Sequence, residues 1–220
     1  MRNALAREQM IEQQVRAWDV LDERILDALR GVPREQFVPE PWRELAFADC
    51  EIPLPCGKRM LRPMLVGRLL QSLSLRAGEQ VLEVGTGSGY VSACLAQLGG
   101  RVRSLELQPQ LAVSARANLA RANLAGTPGT VEIVEADAMQ LDESSRYDVI
   151  VLTASLPIYE ERFERALKPG GRLFVVVGPG VPQRANLVRR AGAGACSREV
   201  LFETVLEALD GAPRPDVFGF

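Results

Sequence analysis

The chain has 220 residues, of which 47% are hydrophobic and 25% are charged, as is usual for a globular protein. Its net charge of -2 lacks the strong basic excess that nucleic-acid binding usually needs. Histidine is absent, which excludes histidine-ligated metal sites, serine–histidine or cysteine–histidine pairs and an imidazole general base. We therefore expect no metal site and no nucleic-acid partner.

The cysteines and the apolar runs bear on where in the cell the protein is located. The four cysteines lack the C-x-x-C spacing of zinc or redox motifs, and we expect them to be reduced thiols. The first residues contain no apolar signal segment, and no apolar run approaches the ~20 residues of a membrane helix. These features predict a cytoplasmic protein without a membrane partner.

The N-terminal part of the chain predicts a helical extension and an ordered loop. Apolar residues recur at helical spacing over 10–15 and over 21–29, and Asp22 is placed to cap the second of these helices. The stretch 49–63 is different, because it combines three prolines and one glycine with three basic residues. We expect this stretch to be a loop, and a short helix to follow over 64–75.

From about residue 79 the pattern changes to alternating strands and helices. Predicted strands cover 80–84, 102–106, 131–135, 147–153 and 172–177, and predicted helices cover 88–98, 109–124 and 158–167. This order predicts an α/β fold with a doubly wound, mostly parallel, Rossmann-like sheet and helices on both faces. Two further strands, over 187–190 and 199–206, are expected to form a hairpin at the sheet edge. We expect one domain over 1–220, with the helical extension and loop in 1–62 and the α/β core in 63–220.

The most informative segment is the glycine-rich loop that follows the first predicted strand of the core. Residues 81–90 read VLEVGTGSGY, which places a buried strand, a glycine turn and a helix start in order. A nicotinamide-dinucleotide fingerprint needs G-x-G-x-x-G, whereas Tyr90 stands where its third glycine would be. Glu83 would repel a pyrophosphate and would suit a ligand that carries an ammonium and a sulfonium group. The pattern E-x-G-x-G-x-G resembles the first motif of class I methyltransferases, whose cofactor is S-adenosyl-L-methionine.

Acidic residues after the next two strands favour the same cofactor. Glu106 ends the second strand 21 residues after Gly85, where a carboxylate can accept hydrogen bonds from two ribose hydroxyls. Asp137 follows the third strand, where a carboxylate can accept a hydrogen bond from an adenine amino group. A nicotinamide oxidoreductase is the alternative that tight NADH binding would support. The predicted cofactor-binding residues are Glu83, Gly85, Thr86, Gly87, Ser88, Gly89, Glu106, Leu107, Asp137, Ala138 and Thr153.

Segments outside the cofactor motif narrow the choice among methyltransferase families. Residues 10–16, 22–26, 32–39 and 46–55 resemble protein-L-isoaspartate O-methyltransferases, as do residues 198–202. This resemblance implies an enzyme that methylates the free carboxylate of isoaspartyl residues in damaged proteins, with a protein or peptide as its partner. A carboxylate has a pKa near ~3.9 and is ionised at pH 7, so the reaction needs no general base and suits a chain without histidine. We expect a monomer or a weak dimer.

One loop departs from the family pattern, which usually reads G-x-G-Q-T-I-S-x-P. Here residues 56–63 read CGKRMLRP, so Leu61 stands at the position of the family's serine and carries no hydroxyl. Asp49 matches the family's acid before the loop, and we expect Asp49 and Leu61 at the catalytic centre. Cationic side chains attract anionic substrates, and the predicted substrate-binding residues are Lys58, Arg59, Met60 and Arg62. Two alternatives remain open: a methyltransferase of this fold with another acidic substrate, and a non-catalytic S-adenosyl-L-methionine-binding module.

Overall fold

The structure is a computed structural model that describes residues 2–124 and 126–215. Its described α-helices are α1 (Arg2–Met10), α2 (Glu23–Gly31), α3 (Pro63–Leu73), α4 (Tyr90–Gln97), α5 (Pro109–Ala122) and α6 (Glu161–Ala166). Shorter helical turns, among them Ile11–Val15, Arg34–Gln36 and Glu40–Leu45, complete the N-terminal extension. None of the described helices is long and apolar enough to span a bilayer.

Helix α2 shows how the N-terminal extension is built. Asp22 caps this helix as predicted, because its carboxylate accepts a hydrogen bond of 2.9 Å from the backbone N–H of Arg24. Ile25 and Leu29 are buried in the same apolar cluster as residues of the central sheet. The prediction that Leu21 shares this apolar stripe is wrong, because Leu21 precedes the cap and is 63% exposed.

The centre of the fold is a seven-stranded sheet. Its strands are β3 (Gln80–Val84), β4 (Arg101–Glu106), β5 (Thr130–Glu135), β6 (Tyr147–Leu156), β7 (Leu167–Val177), β8 (Gln183–Arg190) and β9 (Cys196–Thr204). They lie in the order β5-β4-β3-β6-β7-β8-β9, and the first five are parallel. The antiparallel strands β8 and β9 form the predicted edge hairpin. The structure therefore confirms the α/β fold with a mostly parallel sheet.

Two features differ from the predicted elements. A small antiparallel ribbon, β1 (Ile52–Pro53) and β2 (Arg59–Met60), lies inside the predicted loop. Helix α6 is shorter than predicted, mainly because β6 extends to Leu156 and the irregular stretch 157–160 delays the start of the helix to Glu161.

The sheet places the candidate site at one edge. In a parallel sheet the carboxyl ends of the strands meet, and the switch in strand order between β3 and β6 opens a crevice there. Alternate residues of β3 face opposite layers, with Val81 in one apolar cluster and Leu82 and Val84 in the other. The residues that directly follow these strands are therefore brought together at the crevice.

Candidate active site

The glycine loop after β3 approaches strand β6 closely. Gly85 has a φ of +91°, and a Cβ added there would come within 2.5 Å of Thr153 Oγ1. That hydroxyl instead donates a hydrogen bond of 2.6 Å to the Gly85 carbonyl oxygen. Glycine is therefore required at this position, because the loop packs directly against Thr153 and leaves no room for a side chain there.

Glu106 is the acidic group that holds the glycine loop from β4. It is 5% exposed, and its two carboxylate oxygens accept hydrogen bonds from the backbone N–H groups of Gly87 (2.8 Å) and Gln108 (3.0 Å). The side chain is therefore fixed in the wall of the cleft at the position predicted for the ribose acid.

Asp137 lies in the same wall, beyond the end of β5. Its carboxylate accepts a hydrogen bond of 2.8 Å from the backbone N–H of Met139 and begins a short helical turn. Ala138 and Leu107 line the cleft beside it. The structure thus brings together the predicted acids and their neighbouring apolar residues.

Glu83 occupies a different position from the one predicted. It is fully buried and lines neither cavity, so its carboxylate does not face the cleft. It accepts hydrogen bonds from Ser92 and Ser104, and Ser104 in turn is 2.6 Å from the hydroxyl of Thr86. Burial raises the pKa of the Glu83 carboxyl to about 7. Glu83 therefore supports the glycine loop from beneath, which corrects its expected contact with the ligand.

Two adjoining cavities form the site. The larger contains about 800 Å³ of open space and extends along the ends of β3, β4, β5 and β6. The smaller contains about 290 Å³ and lies between the glycine loop and the loop 55–62, which we call the substrate loop. The described residues that line both cavities, and so mark their junction, are Arg59, Leu61, Gly85, Gly87 and Thr153.

Residues 206–210, here called the C-terminal segment, form a wall of the larger cavity that sequence analysis missed. Backbone hydrogen bonds of 2.8 Å join the segment to Ser155 at the end of β6. Lys58 Nζ lies 2.5 Å from Asp210 Oδ1, and Gln108 donates a hydrogen bond of 3.1 Å to Asp210 Oδ2. The hydrogen bond from Lys58 lowers the pKa of Asp210. The substrate loop and the C-terminal segment are thus connected across the cleft.

Arg59 makes a second contact between the same two segments. Its Nε lies 3.3 Å from Glu207 Oε1 and 3.9 Å from Glu51 Oε2. Burial raises the pKa of Glu51, against the opposing charges of Arg62 and Arg59. The mouth of the cleft therefore contains cations and carboxylates in close proximity, with the Arg59 side chain 49% exposed.

Four predicted site residues line neither cavity: Asp49, Arg62, Glu83 and Gly89. Asp49 is exposed and accepts a hydrogen bond of 3.1 Å from the backbone N–H of Met64, so it caps the first turn of α3. Gly89 packs against Ala115 of α5. The structure therefore places Asp49 beside the first turn of α3 and outside the lining of both cavities, and its role at the catalytic centre stays a prediction. Met60 and Ser88 do line the smaller cavity, as expected of site residues.

The residues of the larger cavity fit a nucleoside ligand that carries no phosphate. A buried carboxylate at Glu106 and a second at Asp137 suit hydroxyl and amino donors and would repel a phosphate. Leu105 and Leu111 supply apolar walls for a flat ring. Among the described residues, no group of three or more cysteine, aspartate or glutamate side chains is arranged to hold a metal ion.

Comparisons with known proteins agree with this geometry. The sequence profile of the family described as "Protein-L-isoaspartate(D-aspartate) O-methyltransferase (PCMT)" matches residues 5–209. The chain is 40% identical over 188 residues to a protein-L-isoaspartate O-methyltransferase of Methanoculleus marisnigri, covering 84% of each chain. It is 37% identical over 206 residues to that of Rhodopseudomonas palustris, covering 92% of each. A Plasmodium falciparum structure of this description, in complex with S-adenosyl-L-homocysteine, superposes with a TM-score of 0.79 at 18% identity and covers 93% of this chain and 98% of that one.

Proposed function

The chain belongs to the protein-L-isoaspartate(D-aspartate) O-methyltransferase family, and we propose that it methylates the carboxylate of isoaspartyl residues in proteins or peptides. The observation that supports this most is the junction of the two cavities. Its residues comprise one cation, Arg59, one hydroxyl, Thr153, and otherwise glycine and leucine. Such a junction suits a nucleophile that is already anionic and needs no base.

The cofactor is S-adenosyl-L-methionine, which supplies a methyl group on a sulfonium centre when bound. Glu106 would hold the ribose hydroxyls, and Asp137 would accept a hydrogen bond from the adenine amino group. Leu105, Leu107 and Leu111 would contact the adenine ring. The backbone of the glycine loop would lie against the amino-acid part of the cofactor.

The substrate carboxylate would bind at the junction. A free carboxylate has a reference pKa of about 3.9, so it reaches the junction in its ionised, nucleophilic form. Arg59, and Lys58 beside it, would attract the anion, and Leu61 would exclude water from the reacting oxygen. Methyl transfer from a cation to an anion neutralises both charges, so an apolar wall favours the transition state.

The experiment that tests this proposal uses S-adenosyl-L-methionine labelled in its methyl group. Two peptides that differ only in isoaspartate or aspartate at one position are the matched substrates. We expect base-labile label on the isoaspartyl peptide alone. No label on either peptide, with cofactor binding confirmed separately, would contradict the proposal and favour another carboxylate substrate, as the substituted residues of the substrate loop allow.

The location and the assembly state remain predictions. We propose a cytoplasmic location, which rests on the reduced cysteines expected from the sequence, and a monomer or weak dimer in solution. Gel filtration with light scattering measures the assembly state directly.

A further inference from the structure

Arg34, in the helical turn Arg34–Gln36, is a buried cation that the proposed chemistry does not use. Its relative exposure is 0%, and burial lowers the pKa of its guanidinium. Tyr90, Cys94 and Cys50 lie near the guanidinium, and none of these three side chains is a carboxylate. Burying a charge without an opposite charge beside it costs free energy of folding, so the contacts of Arg34 need an explanation.

The guanidinium of Arg34 contacts three separate segments. Its Nε donates a hydrogen bond of 2.9 Å to the carbonyl oxygen of Ala46, and its Nη2 donates one of 2.8 Å to the carbonyl oxygen of Leu61. Its central carbon lies 4.9 Å from the centre of the Tyr90 ring. Ala46 precedes β1, Leu61 lines both cavities, and Tyr90 begins α4 directly after the glycine loop.

We propose that Arg34 is a positioning residue that sets the substrate loop relative to the glycine loop. By holding the Leu61 carbonyl, Arg34 fixes the end of the loop and with it the place of Arg59 at the junction. The ring of Tyr90 ties the same guanidinium to the first residue of α4. The expected effect of Arg34 on the peptide KM rests on the proposed function, whereas its expected effect on the position of the substrate loop does not.

The geometry requires arginine and not simply a positive charge. The planar guanidinium donates in two directions while its face covers an aromatic ring. A lysine ammonium is a compact point charge, and it would have to give up at least one of these three contacts. The substitution Arg34→Lys therefore keeps the positive charge but loses at least one of the contacts that join the substrate loop to α4.

Arg172 of β7 supplies a matched control. It is also nearly buried, with 8% exposure, and it donates hydrogen bonds to the Leu73 and Ser74 carbonyl oxygens and to Glu79. These contacts lie at the opposite edge of the sheet from the cleft, near the start of β3. Arg172→Lys should reduce thermal stability in the same way as Arg34→Lys without touching the substrate loop.

The test is amide hydrogen exchange of residues 58–61 together with steady-state kinetics on the isoaspartyl peptide. For Arg34→Lys we expect exchange in the loop to rise about tenfold and the peptide KM to rise about tenfold, with the cofactor Kd within twofold of wild type. Arg172→Lys should change none of these three quantities. If Arg34→Lys does not fold, Arg34→Gln, which keeps a planar donor, is measured instead.

Two outcomes would overturn the proposal. One is that loop exchange in the Arg34 variant equals that of Arg172→Lys. The other is that its cofactor Kd rises as much as its peptide KM, which would indicate general damage to the site. If the wild-type protein does not methylate the peptide, the proposed function fails, while hydrogen exchange still decides whether Arg34 positions the loop.

Discussion

The two sides of the cleft are built by different kinds of interaction. The cofactor side consists of backbone groups and the buried acid Glu106, which follow consecutive strands of one sheet. The substrate side consists of the substrate loop and the C-terminal segment, joined by the pairs Lys58–Asp210 and Arg59–Glu207. The side chains of these pairs are 29–49% exposed, whereas Glu106 is 5% exposed.

This difference separates a fixed region from an adjustable one. Removing a buried carboxylate leaves its hydrogen-bond donors without partners, at a cost of roughly 1–3 kcal/mol. An exposed ion pair contributes about 0–1 kcal/mol and weakens with added salt. The cofactor side should therefore tolerate few substitutions, while residues on the substrate side can change the preferred substrate without loss of the fold.

The largest effect is expected at Glu106. Glu106→Ala removes the acceptor of the Gly87 and Gln108 N–H groups and the predicted ribose contact, so the cofactor Kd should rise about 100-fold. Isothermal titration with S-adenosyl-L-homocysteine measures this change. Glu135→Ala is the control, since Glu135 pairs in register with Glu106 but lies exposed at the end of β5. Equal effects of the two substitutions would contradict the assignment of Glu106.

A second effect concerns Glu83 and pH. Burial raises its pKa from 4.5 to about 7, so the folded state holds a proton that the unfolded state releases, and stability falls as pH rises through this window. Glu83→Gln mimics the protonated carboxyl, so the free energy of unfolding of this variant should not fall over the same pH range. Its free energy of unfolding should match wild type near pH 4.5 and exceed it at pH 8 by on the order of 3 kcal/mol. Urea titrations at both pH values measure the difference, and a constant difference would exclude a buried, titrating carboxyl.

The smallest effect is expected at Asp210. Asp210→Asn keeps the shape of the side chain but weakens its contact with Lys58, so the C-terminal segment, which also lines the larger cavity, should be held less firmly in place there. We expect the cofactor Kd to rise about two- to threefold at low salt and to equal that of wild type near 1 M salt. A salt-independent difference would mean that the hydrogen bond from Gln108, and not the ion pair, holds the segment.

The sequence predicts the cofactor side well for a physical reason. Glu106 is the last residue of β4 and Asp137 comes two residues after the end of β5, and a parallel sheet brings the ends of such strands to one edge. The buried position of Glu83 had a signal as well, because strand alternation places it on the same face as the core residue Val81. The charge of Glu83 alone favours a contact with the ligand, whereas strand alternation places the side chain in the interior.

The substrate side could not be predicted in the same way. Lys58 and Asp210 are 152 residues apart, and no local pattern links a loop to a distant charged segment. Asp49 accepts a hydrogen bond from the backbone of Met64 because the substrate loop brings the two residues together. Neither helical nor strand periodicity describes the path of that loop. The buried contacts of Arg34 likewise depend on three segments that meet only in the folded chain.

We propose that Arg59 attracts and holds the substrate carboxylate at the junction of the two cavities. The most direct measurement is the peptide KM of Arg59→Met beside that of Arg59→Lys, with the KM for S-adenosyl-L-methionine determined in parallel. We expect Arg59→Met to raise the peptide KM about tenfold and Arg59→Lys to raise it less, with the cofactor KM unchanged in both variants. An unchanged peptide KM in Arg59→Met would contradict this proposal.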